Sequence, residues 1–512
     1  MLERLTDADS IARAEARIRE LIDAHGEWLC TRDSHRVALL RRDECDFSVS
    51  QGRLIFSCLT EEGAAAWRIT GWRWSGEKLL LEASRRMGAE RARLELIPRA
   101  SVKAAAALIG DTRRERCNRL AALACAALPG AKVWRAALSA GARRGQSGRY
   151  ARIILRHLNR ELVAVTGTVI ESDRQEVDAF LSSALVWFTR VSQGAHRPPH
   201  VRRLWLAVNK NSVEALGQRL ALLRDELRRV ITLYEIDDDW EALTPARLPE
   251  LEELLAERPK RLVRPPREVM SESAARIKAL APEAIDVVRA RQGETLRFRG
   301  LPFARVRRLL EKESIWFGVK GARRRLLDEG TEDEWWKLLH DLKEYRNAAC
   351  TDRHHALYRL SPEAWLESEL RRDITRLDPG LRLAPLYAQF RPTHAAGASR
   401  PIDLLALRRD GRLAVIELKV SEDREHVLQG ADYWRRTEVY RRHGHLARAR
   451  LFGDATVADK PPLVYLVAPA LRFHRSFNQL ARAITPEIEL YRFDLNEDWR
   501  SGVRVMRRVP LT

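Results

Sequence analysis

Hydrophobic and polar positions alternate in four short segments near the start of the chain: Arg36–Leu40, Arg53–Cys58, Ala66–Trp72 and Leu79–Ala83. Period-two alternation predicts half-buried strands, and Gln51-Gly52 and Ser75-Gly76 supply turns between them. Ile11 to His25 carries apolar residues at helical spacing instead. Residues 1–100 therefore predict an N-terminal α+β module, whose Trp and Arg side chains read as half-buried strand residues before they read as base-stacking groups. Much later, two near-continuous apolar runs, Ile402–Leu407 and Leu413–Lys419, flank Arg409-Asp410-Gly411-Arg412. That is the pattern of a hairpin. Pro362–Leu370 predicts an amphipathic helix, with Pro at its first position after Ser361.

The late hairpin has an earlier echo. Residues 149–168, RYARIILRHLNRELVAVTGT, overlie 400–419, RPIDLLALRRDGRLAVIELK, without a gap, at a constant offset of 251. Leu128-Pro129-Gly130 echoes Leu377-Asp378-Pro379-Gly380, and Leu206-Ala207-Val208 echoes Leu466-Val467-Ala468. Ile231–Asp237 echoes Ile488–Asp494, and an Asp-Trp pair follows each (Asp239-Trp240 and Asp498-Trp499). Residues 101–245 and 356–512 thus predict two copies of one α/β core. Between them, 246–270 reads as an extended Pro-rich cationic linker, and 271–355 as mainly helical, from Ser271–Leu280 and Glu332–Ala349, with one strand and turn at Thr295–Phe303. Segment 246–355 is accordingly expected to be a linker and helical connector. Asp352, His354 and His355 suggest a loop rather than a metal site, because adjacent histidines in a strand point to opposite faces.

Composition sharpens this picture. A chain of 512 residues, 45% hydrophobic, fills several domain cores. The net charge of +20 comes mostly from arginine, which recurs in pairs such as Arg85-Arg86, Arg143-Arg144, Arg202-Arg203, Arg435-Arg436 and Arg441-Arg442. The arginine fork suits phosphate, so an anionic partner, nucleic acid first, is expected. A GC-rich coding sequence explains the Arg:Lys ratio but not the net excess. The six cysteines include no CxxC pair, which fits reduced thiols in a cytoplasmic protein. The N-terminus lacks signal-peptide character, and no apolar run approaches the ~20 residues of a membrane span. No GxxxxGK[ST] occurs, so any ATPase must come from a partner protein.

The chemistry concentrates in Pro401-Ile402-Asp403 and Glu417-Leu418-Lys419. Paired strands bring two carboxylates and a lysine together at one end of a sheet. Carboxylates bind a hard divalent cation, such a cation activates water, and the lysine stabilises a developing anion. This pattern resembles the PD-(D/E)xK nuclease superfamily. Gln429-Gly430-Ala431-Asp432-Tyr433 matches the QxxxY motif of its RecB-like branch, with Gln429 and Tyr433 on one helical face. The resemblance covers residues 356–512 and implies an α/β multidomain protein with a C-terminal restriction-endonuclease-like αβββαβ core. It implies Mg²⁺ or Mn²⁺ held by Asp403, Glu417, the Leu418 carbonyl and an acid of the upstream helix, Glu367 first and Glu369 second. Lys419 would position or deprotonate water, while Gln429 and Tyr433 would orient the lysine or the substrate. Arg424, Arg435, Arg436 and Arg441 are expected to grip phosphates. Some relatives in this branch carry an iron–sulfur cluster, but no cysteine falls within 356–512.

The earlier copy keeps the apolar framework and loses the ligands. Arg152, Thr166 and Thr168 stand where the later copy has Asp403, Glu417 and Lys419, and Cys117 stands opposite Glu367. It is expected to be a pseudo-nuclease, with Arg152 suited to holding a phosphate without cutting it. The expected function is a metal-dependent nuclease, DNA before RNA, in repair, restriction or phage defence. The alternatives are a non-catalytic DNA-binding module or a partner-activated subunit of a larger complex. Endo- or exonucleolytic cutting and the oligomeric state stay open.

Overall fold

The computed structural model describes all residues except 1, 33–34, 61–62, 142–146, 158–160, 171–175, 194–200, 260–269, 291–292, 310–311, 320–323, 391–400 and 512. Residues 260–269 of the expected linker, the Arg143-Arg144 pair and Arg400 therefore lie outside the described residues, and the described part of the linker is not all extended, because Leu251–Ala256 is helical with three buried leucines. The chain forms two compact units, residues 1–156 with 167–170, and residues 157–166 with 171–512. No described helix is long and apolar enough to cross a membrane.

The first unit opens with β1 (Glu3–Arg4), α1 (Ala8–Asp23), β2 (Glu27–Arg32), β3 (His35–Arg41), β4 (Cys45–Ser50), β5 (Arg53–Thr60), β6 (Gly63–Trp74), β7 (Leu79–Arg85) and β8 (Glu90–Pro98). The strands form one sheet in the order β3-β2-β8-β7-β6-β5-β4, with β1 on β6. Asp7 caps α1 by accepting from the Ser10 backbone N–H at 2.8 Å. The apolar stripe of α1 (Ile11, Ile18, Leu21 and Ile22) then joins one core with Trp28, Phe47, Phe56, Trp67 and Trp72. These tryptophans are strand residues turned inward. The unit continues with α2 (Val102–Ala127) and the hairpin of β9 (Lys132–Ala140) and β10 (Ser147–Arg156).

The second unit takes β11 (Leu162–Thr168) up to Thr166, then α3 (Val177–Gln193), β12 (Val201–Asn209), α4 (Lys210–Leu220), α5 (Asp225–Arg228), β13 (Ile231–Ile236), β14 (Leu243–Ala246) and α6 (Leu251–Ala256). Strands β11 to β14 lie side by side in chain order, with β12 parallel to β13 and β14 antiparallel. Next come α7 (Glu272–Ala279), β15 (Ile285–Ala290), β16 (Gly293–Phe298), β17 (Leu301–Leu309), β18 (Lys312–Phe317), β19 (Arg325–Leu326) and α8 (Glu332–Tyr345). This corrects the expectation of a mainly helical connector, because β15 to β19 form a five-stranded antiparallel meander. The alternation in β16, with Glu294, Leu296 and Phe298 buried, supplies its inner face. Trp335 of α8 stacks on Phe303 inside this core, while Trp336 stays half-exposed.

The last part contains α9 (Ala356–Arg359), α10 (Pro362–Arg372), β20 (Tyr387–Phe390), β21 (Ile402–Leu407), β22 (Leu413–Leu418), α11 (His426–Arg442), α12 (His445–Arg448), β23 (Leu463–Pro469), α13 (Phe477–Ala481), β24 (Leu490–Leu495) and β25 (Val505–Pro510). The sheet runs β20-β21-β22-β23-β24-β25, with β22, β23 and β24 mutually parallel. Both β22 and β23 are buried along their whole length, which is why their sequences read as unbroken apolar runs. Leu404, Ala406, Ala414 and Ile416 pack with Trp365 and Leu366 of α10. The alternate set, Leu405, Leu407, Leu413 and Val415, packs with Tyr433 and Tyr440 of α11. One helix on each face thus frames the strand ends that carry Asp403 and Glu417.

Candidate active site

The hairpin register places Leu404 beside Ile416, and the strand ends beyond that pair hold the chemistry. The Leu418 backbone N–H donates to Asp403 Oδ2 at 2.9 Å. Lys419 Nζ donates to Glu417 Oε1 at 2.6 Å and lies 3.7 Å from Asp423 Oδ2. Glu417 is only 2% exposed, and its other oxygen, Oε2, is buried with no hydrogen-bond partner. A buried acceptor left without a donor costs about 1–3 kcal/mol, which a proton shared with Asp403 or a bound cation would relieve. Burial and the neighbouring Asp403 push the Glu417 carboxyl well above its usual range. Lys419 is also raised, because Glu417, Asp403 and Glu363 outweigh the burial that opposes its charge. One lysine thus faces a surplus of carboxyl groups.

Helix α10 supplies that surplus. Glu367 is 4% exposed, and its carboxylate lies 3.5 Å from Arg297 of β16. Glu363, one turn earlier, was not singled out from the sequence. Its carboxyl is raised by burial, with Lys419 opposing and Asp403 and Asp423 adding to the shift. Glu363, Glu367, Asp403 and Leu418 line one cavity of 420 Å³. Glu369 faces elsewhere and is tied to Arg299 at 3.1 Å, Arg372 at 3.2 Å and Trp365 Nε1 at 3.1 Å. The turn of the meander holds α10 in place: a Cβ on Gly300 would stand 1.8 Å from the Ala364 carbonyl oxygen. Arg346, wholly buried, spans the same join through the Phe298, Leu357 and Leu360 carbonyl oxygens at 2.7–3.0 Å. Burial, with the nearby charges of Arg500 and Arg299, lowers Arg346 to about 9.

On the opposite face, α11 brings Tyr433 towards the carboxyls: burial, then Glu417 and Asp403, raise its phenol. Gln429 turns its amide N–H to Glu425 Oε2 at 3.1 Å and leaves Oε1 buried without a partner. His426 Nε2 lies 3.2 Å from the Glu417 carbonyl oxygen, and burial with the nearby Lys419 lowers its ring to about 3. It is therefore a neutral prop beneath the strand. Gly430 lets α11 close on β23, since a Cβ there would stand 2.6 Å from Leu466 Cδ2.

The expected phosphate-gripping arginines are placed otherwise. Arg435 is 8% exposed and bonds Asp432 at 2.8 Å and Gln218 at 3.2 Å. Arg436 lies over the Tyr433 ring, with its charge 4.0 Å from Asp432. Arg441 pairs with Glu438 at 2.7 Å and with Asp459. Three cations of α11 are thus spent inside the fold, because that helix is buried on nearly every side. Arg424 is half-buried and its backbone carbonyl accepts from Ser182 Oγ at 3.2 Å. Arg152, in the first unit, is half-buried on β10, with its backbone against the Cys117 thiol. Besides Arg297, which pairs with Glu367 in the first cavity, Arg359, Arg472 and Arg500 stand near the acidic cluster and line a second cavity of 620 Å³ together with Glu363. Nothing in their spacing along the sequence joins them.

Among the described residues, no three His, Cys, Asp or Glu side chains already form a group that could hold a metal ion. What the site offers is Asp403, the orphaned oxygen of Glu417, the Leu418 backbone and the two helix acids. That set suits a small hard cation that keeps several waters and is completed by substrate phosphate.

No family model matches the sequence, and no curated protein matches it. Among solved structures, the apo form of EndoMS aligns over 46% of this chain and 97% of its own, at 11% identity and a TM-score of 0.15. A likeness of that size carries no argument about fold or activity.

Proposed function

We propose that this protein is a metal-dependent nuclease that hydrolyses phosphodiester bonds, with DNA the preferred substrate. The observation that carries the reading is the buried, unpartnered Oε2 of Glu417 beside Asp403. Mg²⁺ or Mn²⁺, held by Asp403, Glu417 and the Leu418 carbonyl with Glu363 or Glu367, would activate water and neutralise phosphate charge. Lys419, raised above its usual range, keeps its proton at neutral pH. It therefore acts as a donor to the developing anion and not as a base. The Tyr433 hydroxyl likewise stays protonated and can donate to a carboxylate or a phosphate oxygen. Arg359, Arg472 and Arg500 would guide the strand to this point through sequence-independent, salt-sensitive contacts.

The test incubates the purified protein with supercoiled duplex and circular single-stranded DNA in Mg²⁺, Mn²⁺ or EDTA. Metal-dependent loss of closed circles is expected, and it should vanish in Asp403→Ala and Lys419→Ala. Cleavage that persists in EDTA or in Lys419→Ala sinks the reading. A gel shift without any product points instead to a binding module.

A further inference from the structure

Equivalent positions of the two related halves meet each other within the second unit. After α4 the chain runs Leu222-Leu223-Arg224, and after α13 it runs Ala483-Ile484-Thr485, so Leu223 and Ile484 occupy the same place after corresponding helices. Those two residues form an antiparallel bridge. The Arg224 N–H donates to the Ala483 carbonyl at 2.9 Å, and the Thr485 N–H donates to the Leu222 carbonyl at 2.9 Å. Any antiparallel bridge has a local two-fold axis. Here the axis relates matching positions of a repeat. Gln218 of α4 and Gln479 of α13 hold the same place, five residues before each bridge. Gln218 accepts from Arg435 of α11 at 3.2 Å, and Gln479 donates to the Leu185 carbonyl of α3 at 3.5 Å. Each half thus sets its short helix on the long helix of the other, the reciprocity that defines an isologous pair. Arg219 locks the crossing, 2.8 Å from Asp178 of α3 and 2.8 Å from Asp432 of α11.

We infer that the chain is a symmetric pair of cores fused into one molecule, in which only the later core can cut, so that each encounter with duplex DNA yields one nick. This rests on the nuclease reading above. The later core presents Asp403, Glu417 and Lys419 to one strand. The earlier copy has Arg152, Thr166 and Thr168 at the matching sequence positions and so lacks the carboxylates that a second cut would need. The surface through which a lone core would recruit a second chain is already covered from within, so the working species is a monomer.

Two experiments test this, one of them independent of activity. Leu223→Cys with Ile484→Cys places two thiols at a non-hydrogen-bonded antiparallel pair, about 4.5 Å apart at Cα, within disulfide range. Mild oxidation should link them within one chain, mapped by peptide mass, while sedimentation gives a mass near 58.8 kDa. Links between chains, or a stable dimer, overturn the internal pairing. The second experiment incubates supercoiled plasmid with excess unmodified protein and Mn²⁺. Open circles should accumulate first, with linear DNA appearing only after a lag. Linear DNA rising from the first time point in step with open circles overturns the single cut. If no plasmid form is cut while the disulfide forms, the nuclease reading and the single cut fall together, and the pairing stands.

Discussion

Which acid of α10 serves the site was decided by the turn it occupies, not by its residue type. Three glutamates lie within seven residues, at 363, 367 and 369, and only the structure separates them. Glu363 and Glu367 line the cavity with Asp403, whereas Glu369 is consumed by Arg299, Arg372 and Trp365. Glu363→Gln should lower metal-dependent cleavage at least about 10–100-fold, the usual cost of losing even an outer group that supports a metal site. Glu369→Gln should leave the rate of the folded enzyme within a few-fold of the parent. Rates measured across a Mn²⁺ titration check this, and equal losses in both variants would return the role to helix stability. Asp403, Glu417 and Lys419 were legible because strand ends and a two-strand hairpin fix their proximity in any register the apolar pattern allows. Glu363 was not, because helical periodicity names a face and not the turn that meets the strand. The arginines of α11 misled for a related reason: charge spacing carries no information about burial, and Asp432 and Glu438 that neutralise them sit on the same helix.

At the level of elements, α11 is the more exacting of the two helices that frame the site. Its contact with β23 depends on the missing side chain of Gly430, next to Gln429 and one turn before Tyr433. Gly430→Ala forces the helix away from Leu466 and Val464. Overpacking of this kind costs about 1–3 kcal/mol, more than the helix-propensity gain of about 1 kcal/mol returns. Lower thermal stability and slower cleavage are therefore expected together, with the DNA gel shift little changed. A stabilised variant with full activity would show that α11 can slide without consequence. The β22–β23 pairing was readable because buried parallel strands leave unbroken apolar runs. The meander of β15 to β19 was missed because its strands carry arginine on their outer faces, as in Arg305 and Arg307 of β17. Two genuinely helical neighbours, α7 and α8, then dominated the local reading. Yet the meander's turn closes on α10 at Gly300, and Arg346, just after α8, ties Phe298 of that meander to Leu360 before α10, so an element expected as a connector buttresses the candidate site.

Across the second unit, α3, α4 and α11 are joined through charge, and that makes their union sensitive to acid. Arg219 stands buried between Asp178 and Asp432. Asp432 is lowered to about 2, against the opposing effect of burial, by Arg219, Arg435 and Arg436. A carboxylate whose folded value is depressed stabilises the fold above its unfolded value of 3.8 and loses that contribution as pH falls towards 2. The span corresponds to roughly 2–3 kcal/mol. The net charge of +20 works in the same direction, since protonating carboxylates leaves the arginines to repel one another. Arg219→Met strands the buried Asp178 while Asp432 keeps Arg435 at 2.8 Å, and should cost about 3–5 kcal/mol at neutral pH, read as a lower urea midpoint for the second unit. Asp432→Asn should also be destabilised at pH 7, but its disadvantage should shrink steadily from pH 4 to pH 2, as the parent protein loses the same ionised group. If the gap between parent and Asp432→Asn stays constant over that interval, the carboxylate is not what couples α4 to α3 and α11, and apolar packing along α3 and α11 must be holding them instead.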